Sequence, residues 1–130
     1  MLKQLPAIIA CALACLIFSA CGGTQSSPSG TIKAFASFLE KGDAKSAVEL
    51  IDPAVVAQPE MKQKLQSLVA MGSGEIKNKG GIKSIEIVNE KVNGDTATVS
   101  VKYTYGNGTT DSESQDLVKV DGKWYLKMGN

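Results

Sequence analysis

The spacing of apolar residues changes near residue 80, and the two halves of the chain predict different secondary structure. In the first half, Ile32, Phe35, Ala36 and Leu39 recur at the i, i+3, i+4, i+7 spacing of an amphipathic helix. In the second half, apolar and polar residues alternate, which is typical of strands with one buried face. The pattern therefore predicts helices followed by a sheet.

Three short helices are predicted in the first half. The first begins near Thr31 and ends at Gly42, which can adopt the left-handed backbone conformation that often follows a helix. Asp43 can then accept hydrogen bonds from the first amides of a second helix over residues 44–51. The Asp-Pro pair that follows ends this second helix.

The third helix is predicted to begin at Pro59, because proline is favoured in the first helical turn. Its apolar stripe consists of Met61, Leu65, Leu68 and Val69. The Gly72-Ser73-Gly74 run predicts its end. A solvated loop is then predicted to carry Lys77, Lys79 and Lys83.

The first strand is predicted to follow Gly81, and its pattern rests on Ile85, Ile87, Val88 and Val92. The first two alternate with polar residues and the last two fall out of step, which predicts a β-bulge. Asn93-Gly94 predicts the next hairpin, because both residues accept positive φ.

The second predicted strand alternates almost without exception. Its inward face consists of Ala97, Val99, Val101, Tyr103 and Tyr105. The polar residues between them predict a solvated outer face. Gly106-Asn107-Gly108 predicts the turn that follows.

The last two strands are predicted to form a hairpin. Leu117 and Val120 belong to the third strand, and Asp121-Gly122 connects it to a fourth over residues 123–128. The inward residues of the fourth strand are Trp124, Leu126 and Met128. Helices followed by consecutive antiparallel strands indicate an α+β fold, with short N-terminal helices packed on a curved antiparallel sheet of about four strands.

The first 21 residues have the features of a targeting signal. Lys3 precedes an apolar run over residues 7–18, which is shorter than the roughly 20 residues needed to cross a bilayer. Ordinary signal peptidase requires a small residue three positions before its cleavage site, and Phe18 is too large for that position. With the Ser-Ala-Cys that follows, the segment resembles the lipobox of bacterial lipoproteins. This resemblance implies that residues 1–20 are a signal peptide and that Cys21 carries a diacylglyceryl group.

The segment after Cys21 is predicted to be a flexible tether. Residues 22–30 contain only Gly, Thr, Gln, Ser and Pro, which bury little apolar surface. We therefore divide the chain into a signal peptide (1–20), the acylated cysteine with its tether (21–30) and an α+β domain (31–130). Cys11 and Cys15 lie inside the signal, so Cys21 has no disulfide partner left.

The partner that the lipobox implies is a lipid bilayer, bound through acylated Cys21. Gly22 follows the cysteine, at a position where Asp marks retention in the inner membrane of well-studied enteric bacteria. By that resemblance we expect the protein in the bacterial cell envelope, on the outer membrane and facing the periplasm.

The composition excludes several classes of function. The 14 basic residues nearly balance the 13 acidic ones and are scattered along the chain, so no nucleic-acid-binding patch is predicted. Histidine is absent, which excludes Ser-His-Asp and Cys-His catalysis and removes the usual zinc ligand. We therefore predict no catalytic residue, no metal and no cofactor, and a protein that is not an enzyme.

Asp111, Glu113 and Asp116 form an acidic stretch. A calcium site needs six or more oxygen ligands, and in an extended strand Asp116 points away from the other two carboxylates. We therefore predict a solvated strand edge here, in which charged side chains discourage pairing with other strands.

Four aromatic residues are candidates for a pocket between the helices and the sheet, namely Phe35, Tyr103, Tyr105 and Trp124. They either fill the core, as aromatic residues do in most small domains, or contact a ligand. If a tyrosine hydroxyl meets a carboxylate there, from Asp95 or Glu90, the chemistry of an isomerase or dehydratase becomes possible.

Three runs of residues carry a family resemblance: Gly-Gly-Ile-Lys-Ser-Ile-Glu from residue 80, Asn-Gly-Asp-Thr-Ala-Thr-Val-Ser-Val from residue 93, and Val-Asp-Gly-Lys-Trp-Tyr-Leu from residue 120. With the first helix and the turn at residues 41–44, they resemble small bacterial lipoproteins of unknown function. The domain of those proteins has a reduced nuclear transport factor 2-like, or cystatin-like, fold. Enzymes of that fold often place a His and an Asp, or a Tyr and an Asp, in the cone between helices and sheet. The resemblance implies the fold and transfers no catalytic residue.

These observations lead to one expected function and two alternatives. We expect a membrane-anchored envelope lipoprotein whose domain binds a small ligand or an envelope protein without catalysis. The first alternative is a small isomerase-like or dehydratase-like enzyme that uses a tyrosine and a carboxylate. The second is a surface-exposed interaction or inhibitory module.

Overall fold

The computed structural model describes residues 25–128 as four helices followed by four strands. The helices are α1 (Pro28–Lys41), α2 (Ala44–Val48), α3 (Pro53–Val56) and α4 (Pro59–Asn78). The strands are β1 (Ile82–Asn93), β2 (Thr96–Tyr105), β3 (Thr110–Val120) and β4 (Lys123–Leu126). The predicted signal peptide, Cys21 and the first part of the predicted tether lie outside the described residues.

The sheet is an antiparallel meander in the order β1-β2-β3-β4. Helix α1 packs on the sheet against β1, β2 and β4, and α4 packs against the other three helices. The buried core lies between these layers and includes Ile32, Val48, Ile51, Val99, Val101, Leu117, Trp124 and Leu126. The predicted α+β architecture is confirmed.

Helix α1 begins three residues earlier than predicted. The hydroxyl of Ser27 accepts a hydrogen bond from the Gly30 amide, and Pro28 occupies the first helical turn. A serine cap followed by proline is a helix start signal, because the cap satisfies a free amide and proline has none to satisfy. Residues 28–30, which composition assigned to the tether, therefore belong to the domain.

The turn after α1 forms as predicted. Gly42 has a φ of 78°, and its amide donates a hydrogen bond to the Leu39 carbonyl in the last turn of α1. The Asp43 carboxylate accepts a hydrogen bond from the Ser46 amide. Helix α2 is shorter than the predicted residues 44–51, however. Ile51, the last residue of the predicted helix, instead forms a β-bridge with Leu126, because the backbone groups of this segment hydrogen-bond to β4.

The prediction that Gly72-Ser73-Gly74 ends the last helix is wrong, because α4 continues to Asn78. The Ser73 hydroxyl donates to the Leu39 carbonyl at 2.6 Å, and Ile76 is buried one turn later. A glycine in a helix interior costs about 1 kcal/mol relative to alanine. Packing against α1 offsets that cost, so tertiary contacts override the local signal.

The bulge predicted in β1 is confirmed. Ile87 pairs with Val101 and Asn89 pairs with Ser100, so Val88 is the extra residue. The hairpin after β1 is also present, but its loop differs by one residue. Asn93 belongs to the strand, and the loop consists of Gly94, with a φ of 65°, and Asp95.

The inward residues of β2 are confirmed, as are Trp124 and Leu126 in β4. Met128 was also predicted to face inward, and this is wrong. It lies beyond the end of β4 and 41% of its surface is exposed. A residue outside the strand no longer follows the alternation of the sheet.

A close backbone approach joins the end of α4 to the turn between β2 and β3. The amides of Gly106 and Asn107 donate to the carbonyls of Gly81 and Lys79, each at 2.8 Å. A Cβ on Gly106 would clash with the backbone of Gly80. The contact holds Lys79 beside the end of β2.

Among residues 25–128, no helix is long and apolar enough to span a membrane.

Candidate functional site

A cavity of about 390 Å³ lies between α1, the C-terminal half of α4 and the adjoining ends of β2 and β3. It is partly open to solvent. Its lining divides into an apolar side supplied mainly by α1 and a polar side supplied by α4, β2 and β3.

The apolar side is the amphipathic stripe of α1. Ile32, Phe35, Ala36 and Leu39 all line the cavity. Residues at this spacing share one helix face. That face turns toward the sheet and forms the apolar wall.

The polar side is centred on the Asp111 carboxylate. The Tyr105 hydroxyl donates to Asp111 Oδ2 at 3.0 Å, and Lys79 Nζ lies 3.5 Å from the same oxygen. Lys79 Nζ also lies 4.7 Å from the centre of the Tyr105 ring. The ammonium group is therefore stabilised both by a carboxylate and by an aromatic face.

The second tyrosine of the cavity, Tyr103, lies against Glu113. Burial, followed by the negative charge of Glu113 and a hydrogen bond to it, raises the pKa of the Tyr103 hydroxyl. Burial and the hydrogen bond to Asp111 raise the pKa of Tyr105 to about 12. Both phenols are therefore protonated near neutral pH and act there as hydrogen-bond donors rather than as bases.

The register of β3 explains why its acidic residues reach the cavity. Asp111 pairs with Tyr103, and Glu113 pairs with Val101, so both lie on the inward face. Asp116 lies on the outer face and accepts from the Thr98 hydroxyl at 2.9 Å. The sequence correctly separated Asp116 from the other two, but the assignment of Asp111 and Glu113 to a solvated edge alone is incomplete because both line the cavity. Within the described residues, no group of three or more His, Cys, Asp and Glu side chains is placed to hold a metal ion.

Three of the four candidate pocket residues line the same cavity, namely Phe35, Tyr103 and Tyr105. Trp124 does not. It is buried in the core, and its carbonyl accepts from the Thr31 hydroxyl near the start of α1. Alternation placed Trp124 on the correct face but could not show which end of the sheet the cavity occupies.

The carboxylates that the sequence paired with the tyrosines lie elsewhere. Asp95 is in the loop between β1 and β2, and Glu90 lies 3.4 Å from the Ser29 amide at the start of α1. Neither lines the cavity. Asp111 and Glu113 take that place, because the β2–β3 register sets them beside the tyrosines.

Sequence reasoning missed Glu75, Lys79 and Gln115, which complete the polar side. Glu75 and Lys79 were missed because the last helix was predicted to end at Gly72-Ser73-Gly74, before it does in the structure. Ile76 lies seven residues after Val69 and continues its stripe, so the helical spacing could have extended the helix. Lys79, expected in a solvated loop, is paired with Asp111.

Helices packed on one face of an antiparallel meander, with a cavity between the layers, define a nuclear transport factor 2-like (NTF2-like) domain. The chain belongs to the family described as "Domain of unknown function (DUF4878)", whose model matches residues 19–127. A comparison with curated proteins finds no match.

Two solved structures have the same fold. One is a protein of Campylobacter jejuni provisionally named an NTF2-like transpeptidase, which is 29% identical, with 79% of this chain and 99% of that chain covered and a TM-score of 0.70. The other is a SEC-C motif containing protein from Rhodopseudomonas palustris, which is 17% identical, with 87% of this chain and 90% of that chain covered and a TM-score of 0.59. The second likeness concerns the fold alone.

Proposed function

We propose that this chain is a lipid-anchored lipoprotein of the bacterial envelope whose domain binds a small amphipathic ligand without transforming it. The observation that carries this proposal is the two-sided cavity, in which the stripe of α1 faces two tyrosines and their carboxylates. A ligand with an apolar body and a polar end satisfies both sides. The volume, about 390 Å³, falls within the range of small-molecule sites.

The anchor part of the proposal rests on the lipobox-like segment that ends at Cys21. Helix α1 begins only seven residues later, at Pro28. A fully extended chain of that length spans no more than roughly 25 Å. The cavity would therefore stay close to the bilayer, where amphipathic molecules accumulate.

Native mass spectrometry of the full chain, extracted from its own membranes in a nonionic detergent, tests the binding function. We expect an additional non-covalent mass that leaves the protein on collisional activation. A bare acylated polypeptide in every preparation would contradict the proposal. If a mass of ligand size also leaves the unfolded protein, the bound molecule is adsorbed detergent or lipid rather than a ligand of the cavity.

A second candidate function is an enzyme, and one observation favours it. The Tyr105 hydroxyl and the Asp111 carboxylate meet at 3.0 Å beside an open cavity, so a proton donor and a carboxylate lie together where a substrate could enter. A substrate would have to replace Asp111 as the acceptor of the Tyr105 proton. Because the pKa of Tyr105 is raised to about 12, the hydroxyl would then donate a hydrogen bond to a developing negative charge rather than remove a proton.

Incubation with a small-molecule extract of the envelope separates the two functions. An enzyme depletes a compound in catalytic excess over the protein, and Tyr105→Phe abolishes the depletion. A binding protein returns its ligand chemically unchanged and in at most equimolar amount.

A further inference from the structure

We propose that one edge of β3 binds an extended, basic peptide as an additional antiparallel strand. The open edge consists of residues 110–114 of β3. In the described part of the chain, β4 pairs only with residues 117–120, so β2 is the only neighbour of the open edge. This interaction surface goes beyond the proposed function, because backbone pairing there does not require a small ligand in the cavity.

The backbone of the open edge presents free hydrogen-bonding groups. The Tyr105 amide donates to the Thr109 carbonyl, and bonded pairs alternate along an antiparallel ladder. Asp111 and Glu113 therefore bond to β2, and Ser112 and Ser114 direct their amides and carbonyls away from it. Asp116 is the next residue in this alternation whose backbone groups point away from β2. Its carbonyl accepts a hydrogen bond from the Lys127 amide, as the alternation requires. The open edge is about 17 Å long, at roughly 3.3 Å per residue.

The side chains along the open edge select the charge of an added strand. Asp111 and Glu113 point to the inward face at the cavity, and Glu75 also lines it. Lys79 is the single basic residue among the described residues that line the cavity. A second copy of this edge would set carboxylates opposite carboxylates, which is unfavourable, whereas a strand with lysine or arginine at alternate positions would pair with them.

The cavity already accommodates one ammonium group. Lys79 Nζ lies between Asp111 and the ring of Tyr105. In the described residues, no lysine lies within 4.0 Å of Glu113. Glu113 lines the open cavity, so a basic residue that an added strand turns inward would meet a carboxylate that has no ammonium partner among the described residues.

A fluorescent six-residue peptide in which lysine and valine alternate tests the proposal, with the full chain in a nonionic detergent and fluorescence anisotropy as the readout. We expect saturable binding, no binding of the peptide with glutamate in place of lysine, and weak binding of a peptide with three lysines before three valines. Glu113→Gln should weaken binding about three- to fivefold, as expected for a partly exposed ion pair. The matched control Glu86→Gln, exposed on β1, should leave it unchanged.

Backbone methylation of the peptide tests strand pairing without altering the protein. If lysines face the cavity in an antiparallel added strand, the valine amides point toward β3 and the lysine amides point away. Methylation of the valine amides should abolish binding, and methylation of the lysine amides should preserve it. Equal binding of both methylated peptides would overturn the proposal, as would equal affinity for the basic and acidic peptides. This assay measures only the binding of an added peptide. A negative result therefore leaves the mass-spectrometric test of the small-ligand site unaffected.

Discussion

At the scale of single residues, Tyr105 connects the stability of the domain to its candidate site. Its ring is buried and its hydroxyl donates to Asp111, which also pairs with Lys79. Tyr105→Phe should lower the free energy of unfolding by about 1 kcal/mol, the usual net contribution of one hydrogen bond. Urea unfolding measures this change. Tyr125→Phe, in β4, is the control, and an equal effect of the two substitutions would contradict the account.

The raised pKa of Tyr105 also predicts a pH dependence. The folded protein holds this proton up to a pH of about 12, whereas an unfolded tyrosine loses it near its ordinary pKa of 10.0. The stabilisation is therefore complete below pH 10 and is lost as the pH rises from 10 toward 12. Over that window, unfolding free energy should fall less steeply in Tyr105→Phe than in the wild type. Parallel curves would contradict the shift.

At the scale of elements, the contact between Gly80 and Gly106 joins α4 to the β2–β3 turn. Gly106→Ala would place a Cβ against the Gly80 carbonyl, so we expect a loss of about 1–3 kcal/mol in unfolding free energy. Gly74→Ala is the control, since its Cβ meets open space in α4 and should stabilise the helix by up to about 1 kcal/mol. Chemical denaturation of both variants measures these values. A neutral Gly106→Ala would show that the backbone approach is dispensable.

The elements also show what local patterns can and cannot predict. The stripe of α1, the alternation of β2 and the capping pair Gly42-Asp43 depend on short-range spacing, so the sequence was enough to place them. The continuation of α4 past Gly74 depends on a hydrogen bond to α1. That bond joins residues distant in sequence, and no local rule detects it.

The candidate site was predictable only in part for the same reason. Alternation placed Tyr103 and Tyr105 on the inward face, and helical spacing placed Phe35 toward the sheet. Their carboxylate partners depend on the register between β2 and β3, which the length of the turn at residues 105–109 sets. Inspection of the aromatic residues alone therefore led to Asp95 and Glu90, at the wrong positions.

At the scale of the whole molecule, the anchor at Cys21 remains a prediction. Cys21→Ala should abolish incorporation of labelled fatty acid and move the chain from the detergent-rich phase to the aqueous phase in detergent partitioning. Cys11→Ala, inside the predicted signal peptide, should leave both readouts unchanged. Membrane association of Cys21→Ala at the wild-type level would contradict lipid anchoring.

The orientation of the anchored domain distinguishes a periplasmic protein from a surface-exposed interaction module. Protease treatment of intact cells should leave the domain uncut if it faces the periplasm, as we predict. Cleavage in intact cells, with a periplasmic marker preserved, would instead place the domain on the cell surface.

The central claim is that the cavity between α1 and β2–β3 holds a ligand, and two glycines of α4 test it most directly. Gly72 lines the cavity and Gly74 does not, and in both cases an added Cβ meets open space. Native mass spectra should show the non-covalent ligand on the wild type and on Gly74→Phe, and a bare chain for Gly72→Phe, whose ring fills the cavity. The same ligand mass on all three proteins, or on none of them, would contradict the account.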